Sequence, residues 1–405
     1  MGDWKIGMTA PVLTDEKLQR RTLTLVFVTV FLDLLGVGIL IPIIPYLVRQ
    51  FQTDATTVGV LSLSYSAAQF VASPILGVLS DRYGRRPILV FSIFGSAIGY
   101  FLFGWAGTLW LMFFARIVDG ITGGNISTAQ ACLADISSPQ DRAKNFGLIG
   151  MAFGLGFIIG PALGGFLSKI SIHAPAYGAG CMALVTSVFA YFLLPETLPP
   201  ERRKSGAAQW SDLNPLRPVV TALQNPALRA LLISLFLLNF AFAALQTNFS
   251  VFTLARFQWT AEDNAWIFAF IGFMVAFNQG YLIRRLTKVA KERTLAMWGF
   301  ALFGPGFVLI ALATEGWMLY VASGLIATGS SFTNPTLTSF ISQRVSNKEQ
   351  GSILGTTQAV LSLTRVFGPL WAGLVFDRFG AGSPYWSGAA FIFVAALCAW
   401  PVFRK

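Results

Sequence analysis

Charge is what this 405-residue sequence has least of. Asp, Glu, Lys and Arg make up 12% of it, about half the share of a soluble domain, which excludes an ordinary soluble enzyme. Histidine is nearly absent, and His173 alone cannot build a histidine metal site. It falls in a polar connection and reads as a solvated residue. Haem, iron–sulfur and Walker-type phosphate-loop patterns are missing, so no cofactor, no metal and no ATP-driven step is implied. The three cysteines, Cys132, Cys181 and Cys398, lie in apolar stretches without paired spacing. They read as small buried hydrophobes, not as a disulfide framework.

What is abundant is apolar length. Hydrophobic residues make up 55% of the chain, in runs of about 20 residues or more, enough to cross a hydrocarbon core of about 30 Å. Continuous runs such as Val26 to Leu32 and Leu231 to Leu238 contradict the alternation of a β-barrel. Twelve spans are predicted, at 22–47, 56–80, 87–106, 108–136, 139–169, 174–194, 226–256, 262–284, 294–313, 316–343, 350–376 and 385–403. Residues 1–21 are too polar for a cleaved signal and form an N-terminal segment. The longest polar connection, 195–225, divides the chain into a first bundle (22–194) and a second (226–405), an all-α protein of two related six-helix halves.

Orientation follows from the basic residues. Of 29 Lys and Arg, 23 fall on the side carrying both termini and four on the other, while Arg116 and Arg365 lie within helices. The positive-inside rule then puts both termini in the cytoplasm. Because those residues spread over seven short segments, the net charge of +11 reports topology and not a nucleic-acid-binding face. Internal similarity supports the two halves. Gly160-Pro161 and Gly165 in span five recur as Gly368-Pro369 and Gly373 in span eleven, and Gly147 as Gly355. Two parallel repeats with a site between them near mid-membrane are the plan of a secondary transporter.

Four charges sit inside spans. Each costs roughly 2.5–3.5 kcal/mol at the bilayer centre, so each needs a reason. Asp33, eleven residues into span one, is the leading proton carrier: in a cavity alternating between water and protein, a carboxyl group can alternate between protonated and ionised forms. Its alternative is a fixed ion pair or a cap on broken backbone. Arg116 and Asp119, three residues apart, can neutralise each other on one helix. Arg365 has no charged partner in its own helix. It either pairs with a carboxylate across the cavity, bringing the four charges to zero, or binds an anionic substrate; charge balance is the expectation here. Tyr65, Gln69, Asn125, Asn239, Phe242, Gln246, Asn278, Asn334 and Gln358 interrupt apolar helices and are the candidate substrate contacts.

After span two comes Gly77-Val-Leu-Ser-Asp81-Arg82-Tyr-Gly84-Arg85-Arg86-Pro87. Glycines permit a tight reversal and Pro87 suits the first turn of the next helix. Asp81, a carboxylate on a basic face, is placed to meet the N-terminal end of a neighbouring helix, expected to be span eleven, or an arginine. Asp135, at the end of span four, is expected to accept an arginine of this loop, and together these residues form a cytoplasmic gate. The eleven-residue pattern resembles the loop signature of the major facilitator superfamily.

Three further segments resemble the drug/proton antiporter branch of that superfamily, which includes the tetracycline/proton antiporters. They are Phe31-Leu-Asp33 through Pro42 and Pro45 in span one, Arg116-Ile-Val-Asp119-Gly120 in span four, and Gly156-Phe-Ile-Ile-Gly160-Pro161-Ala-Leu-Gly164-Gly165 in span five. The chain after span six also begins as many relatives do, Leu194-Pro195-Glu196-Thr197. Two departures are notable. Asp119 stands where many relatives have glutamine or a small residue, and span nine lacks the intramembrane carboxylate of tetracycline exporters, so tetracycline itself is not carried over. The resemblance implies a proton-coupled antiporter of the multidrug-efflux, antibiotic-resistance kind in a cell inner membrane, with Arg116 in proton transfer and the span-five motif setting the direction of exchange. Its partners are a small-molecule substrate, protons and the lipid bilayer, with no nucleic acid, and the chain acts as a monomer. The rival readings are a proton symporter or facilitative carrier for a small organic solute, and a non-transporting membrane receptor, which the buried charges and the lack of a soluble domain disfavour.

Overall fold

Two proline-driven or glycine-driven breaks shape the first half. The computed structural model describes residues 16–51, 54–137, 142–203, 216–345 and 350–404. Span one runs as Glu16–Leu40, turns at residues 41–43 and resumes as Ile44–Arg49. Pro42 disfavours helix in the residue before it and lacks a backbone donor, while Pro45 sits where a new helix tolerates it. Span two (Ala55–Tyr83) starts at Asp54, whose side chain accepts from the Thr57 backbone N–H at 2.8 Å. It ends at Gly84, with φ of 110°, a conformation that favours glycine. Span three is Arg85–Trp105.

Span four, predicted as one helix, is two. Leu109–Thr122 and Asn125–Ile136 are separated by Gly123-Gly124, whose low helix propensity lets the backbone break at mid-membrane. Spans five (Arg142–Ser168) and six (Ala174–Leu193) complete the first bundle. After a short helix, Arg217–Leu223, come spans seven (Pro226–Phe257), nine (Glu292–Leu312), ten (Gly316–Ser342), eleven (Gln350–Phe379) and twelve (Ser383–Arg404). Span eight starts as Ala261–Phe277, with a Thr260–Asp263 capping box, passes through a π turn at Asn278–Leu282 and ends as Ile283–Leu286. By length and composition, nine of the described helices can cross a membrane. Broken span four, glycine-rich span five and hydroxyl-rich span ten complete the twelve.

Each half has its own core. One buried cluster draws on residues 26–194 with Ala261, the other on residues 219–403. Cys132 belongs to the first. Cys181 is exposed and Cys398 partly so, contrary to the buried reading; an outer surface facing lipid accepts the same apolar residues as a core, so hydrophobicity alone does not separate the two. His173 is likewise not simply solvated, since its Nδ1 lies 2.9 Å from the Gly104 carbonyl oxygen.

The repeat seen in the sequence reappears as matched contacts. A Cβ on Gly160 would lie 2.7 Å from Gly38 in span one, and one on Gly368 would lie 3.0 Å from Ala243 in span seven. Gly165 faces Ala265 of span eight across the interface between halves, as Gly373 faces Ala55 and Thr56 of span two. At both positions of each repeat the missing side chain lets helices approach closely.

Candidate transport site and gates

The break in span four sets up the charged site. It puts Asn125 at the first position of a half-helix, where its Nδ2 donates to Asp33 Oδ1 at 2.7 Å. Asp33 is 7% exposed. The break also frees the Gly123 carbonyl, which accepts from Gln69 Nε2 at 2.9 Å, and the same Nε2 lies 3.1 Å from the Tyr65 hydroxyl. On the first half of span four, Arg116 and Asp119 pair at 3.1 Å and both are buried. The Arg116 guanidinium lies 4.3 Å from the centre of the Tyr65 ring, a cation–π contact that helps hold a charge away from water. Gly120 permits this, because a Cβ there would stand 2.5 Å from the Tyr65 carbonyl. Tyr65 thus touches Arg116, Gln69 and Gly120 together.

The expected pairing of Arg365 with a carboxylate is not found. Among the described residues Arg365 has no ion pair and no hydrogen bond, and it opens into a cavity of about 270 Å³ between spans two, four and eleven. Asp119 is already taken by Arg116 and Asp33 is turned to Asn125. Gln69 and Gln358 line this cavity. Phe242 and Gln246 line a second, apolar cavity of about 310 Å³ formed by spans five, seven, eight and ten. Three other candidate contacts join helices instead. Asn239 donates to Asn334 Oδ1 at 2.9 Å, and Asn278, at the π turn, donates to Thr328 at 3.0 Å.

The loop after span two is held by one arginine. Arg85 Nε donates to Asp135 Oδ2 at 3.0 Å, while Nη1 reaches Ser80 Oγ at 2.7 Å and Asp81 Oδ1. Arg85 is thus a described partner of Asp81, as the arginine alternative expected, and the expected contact at the start of span eleven falls on side chains outside the described residues. Glu196, which the sequence reading left without a role, accepts from the backbone N–H of Arg85 at 2.9 Å and of Arg86 at 3.3 Å. It caps span three. A Cβ on Gly84 would collide with its carboxylate. Arg86 donates to the Tyr191 carbonyl and stacks on its ring, and Arg82 lies over Tyr83.

In the span-five motif, Gly156, Gly160 and Gly164 face Leu34, Gly38 and Ile39 of span one. Pro161 lies inside the helix, and Gly165 meets span eight.

The described bonds between the halves lie at the face opposite the termini. Tyr46 donates to the Trp259 carbonyl at 2.8 Å and accepts from Asn264 at 2.6 Å, and Lys169 pairs with Glu262 at 2.8 Å. Asp377, at the end of span eleven, accepts from the backbone N–H groups of Ala55 at 3.2 Å and Thr56 at 2.7 Å, capping span two from across the interface. Toward the termini face, Gly77 and Gly355 border open space. These bonds join the two halves at the far face.

Two related six-helix halves with a charged cavity between them define a membrane transporter of the secondary type. A sequence profile described as the Major Facilitator Superfamily matches residues 26–295 and 280–405, and the chain belongs to that superfamily. It is 34% identical to the Escherichia coli tetracycline resistance protein, class C, over 93% of this chain and 94% of that one. It is 26% identical to multidrug resistance protein 2 of Bacillus subtilis, over 89% and 90%. Among solved structures, the human organic anion transporter MFSD10 superposes with a TM-score of 0.73 at 26% identity, over 94% of this chain and 99% of that one.

Proposed function

We propose that this chain is a proton-coupled exporter of amphipathic small molecules, working as a monomer in a cell inner membrane with both termini in the cytoplasm. The observation that carries this reading is the placement of Asp33. It is a protonatable group in a membrane span, held by Asn125, whose chain neighbours Gly123 and Ile126 line the cavity between spans two, four and eleven. In alternating access, the bundles 22–194 and 226–405 rock about this site while 195–225 keeps them joined. Asp33 takes a proton when the cavity faces the acidic outside and releases it inside, with Arg116 and Asp119 forming the charged surroundings through which its state is sensed. Gln69 and Gln358 contact cargo in one cavity, Phe242 and Gln246 in the other, and Tyr65 holds Arg116 and Gln69 behind the first.

The relatives support the cargo class. Proteins named for tetracycline resistance, multidrug resistance and organic anion transport share this architecture, and their common denominator is a small molecule with apolar and polar parts. The test uses proteoliposomes with an imposed pH gradient and a panel of cationic, neutral and anionic amphipathic compounds. Export predicts accumulation of at least one compound in the compartment from which protons leave. Accumulation together with protons would make the protein a symporter, and movement indifferent to the gradient would make it a facilitative carrier.

A further inference from the structure

We infer that Arg365 is the recognition point for an anionic group on the cargo, so that the compounds handled best are amphipathic organic anions such as carboxylates, sulfonates or phosphate esters. This rests on the reading of the chain as a transporter and adds the charge of its substrate.

Three observations converge. Arg365 is open to its cavity and has no ion-pair or hydrogen-bond partner among the described residues. The lining residues of that cavity include no Asp or Glu; they present the side-chain amides of Gln130 and Gln358, with serine hydroxyls, and the apolar surfaces of Phe70, Pro74 and Ile126, while the Gln69 amide N–H groups there are turned to Gly123 and Tyr65. The two carboxylates of the site are already engaged elsewhere, Asp119 by Arg116 and Asp33 by Asn125. The cavity therefore offers one uncompensated positive charge, neutral donors beside it and apolar walls.

While the cavity is open, water solvates the guanidinium. Alternating access requires that the cavity close, and a guanidinium removed from water without a counter-ion is costly. A carboxylate, sulfonate or phosphate satisfies it with two parallel N–H···O bonds, the geometry that arginine's planar fork matches. An anion thus lowers the cost of closing as well as of binding. A cationic cargo meets repulsion, and a neutral one leaves the charge unpaired.

The experiment measures equilibrium binding by calorimetry to the full chain in lipid nanodiscs. The probes are aryl-alkyl carboxylates, sulfonates and phosphates, each with a neutral amide or ester and a cationic amine on the same skeleton. Wild type should prefer the anionic member of a set on the order of tenfold over its neutral counterpart, the yield of a charged hydrogen bond. Arg365→Gln should erase that preference and leave neutral binding in place; Arg365→Lys, which keeps the charge without the fork, should retain part of it. A panel in which no anionic member exceeds its neutral counterpart in wild type overturns the proposal, whatever the variants do. So does an unchanged preference in a folded Arg365→Gln variant, or a variant whose pH profile of transport moves equally for every compound, which would assign Arg365 to the carboxylates. Anion binding without movement across the membrane would leave this site standing and overturn the transporter reading; movement without anion preference would do the reverse.

Discussion

At the scale of single residues, the site rests on a few polar side chains each tied by a definite bond. Arg85 joins the ends of spans two, three and four through Ser80, Asp81 and Asp135, and Glu196 fixes the start of span three. Glu196→Gln keeps the shape but removes the charge that faces the helix N-terminus, and is expected to cost about 1 kcal/mol. A lower apparent melting temperature of the purified protein checks it. Asp33, Arg116, Asp119 and Arg365 are visible from the sequence alone, because a charge inside an apolar run has no innocent background. Their partners are not. The ion pair within span four follows from spacing, but nothing in the sequence tells that Asn125 faces Asp33, or that Arg365 lacks a carboxylate, since both depend on how spans one, two, four and eleven lie against one another. Glu196 was hidden for a different reason: an acidic residue in a polar loop has many ordinary explanations, and its task as a cap appears only when the loop folds back on span three.

At the scale of elements, glycine placement decides which helices touch. Gly156, Gly160 and Gly164 form one stripe against span one, while Gly165 points the other way, into span eight. A bulkier side chain should therefore act differently at the two positions. Gly160→Val wedges spans one and five within a bundle and should destabilise the protein by about 1–3 kcal/mol, read as a lower melting temperature. Gly165→Val wedges the two bundles at the far face. It should leave melting nearly unchanged and lengthen distances between spin labels on the far ends of spans five and eight. The stripe is legible in the sequence as a four-residue repeat, of which span eleven keeps Gly368 at the position matching Gly160. The break at Gly123-Gly124 is less so, because paired glycines also occur in unbroken membrane helices, and only the capture of the freed Gly123 carbonyl by Gln69 shows why this pair breaks.

For the whole molecule, the described bonds between the two halves lie at the far face. In the proposed alternating access that arrangement is one end of the exchange, and Asp377 is the most concentrated of its closures because one carboxylate caps span two from span eleven. Asp377→Ala should shift the population toward opening at the far face, seen as longer spin-label distances between the ends of spans two and eleven there and shorter ones at the termini face. The twelve-span count, the division into halves and the basic termini face all follow from composition and charge. The face at which the described bonds join the halves does not, since it depends on how the two bundles pack against each other.

The central claim, that a titrating Asp33 couples proton entry to export, is tested most directly by comparing wild type and Asp33→Asn in proteoliposomes under an imposed pH gradient, alongside exchange of labelled for unlabelled compound without a gradient. The account predicts that wild type concentrates the compound, and that the folded variant still exchanges it but no longer concentrates it. Gradient-driven accumulation by the folded variant at the wild-type rate would contradict the account.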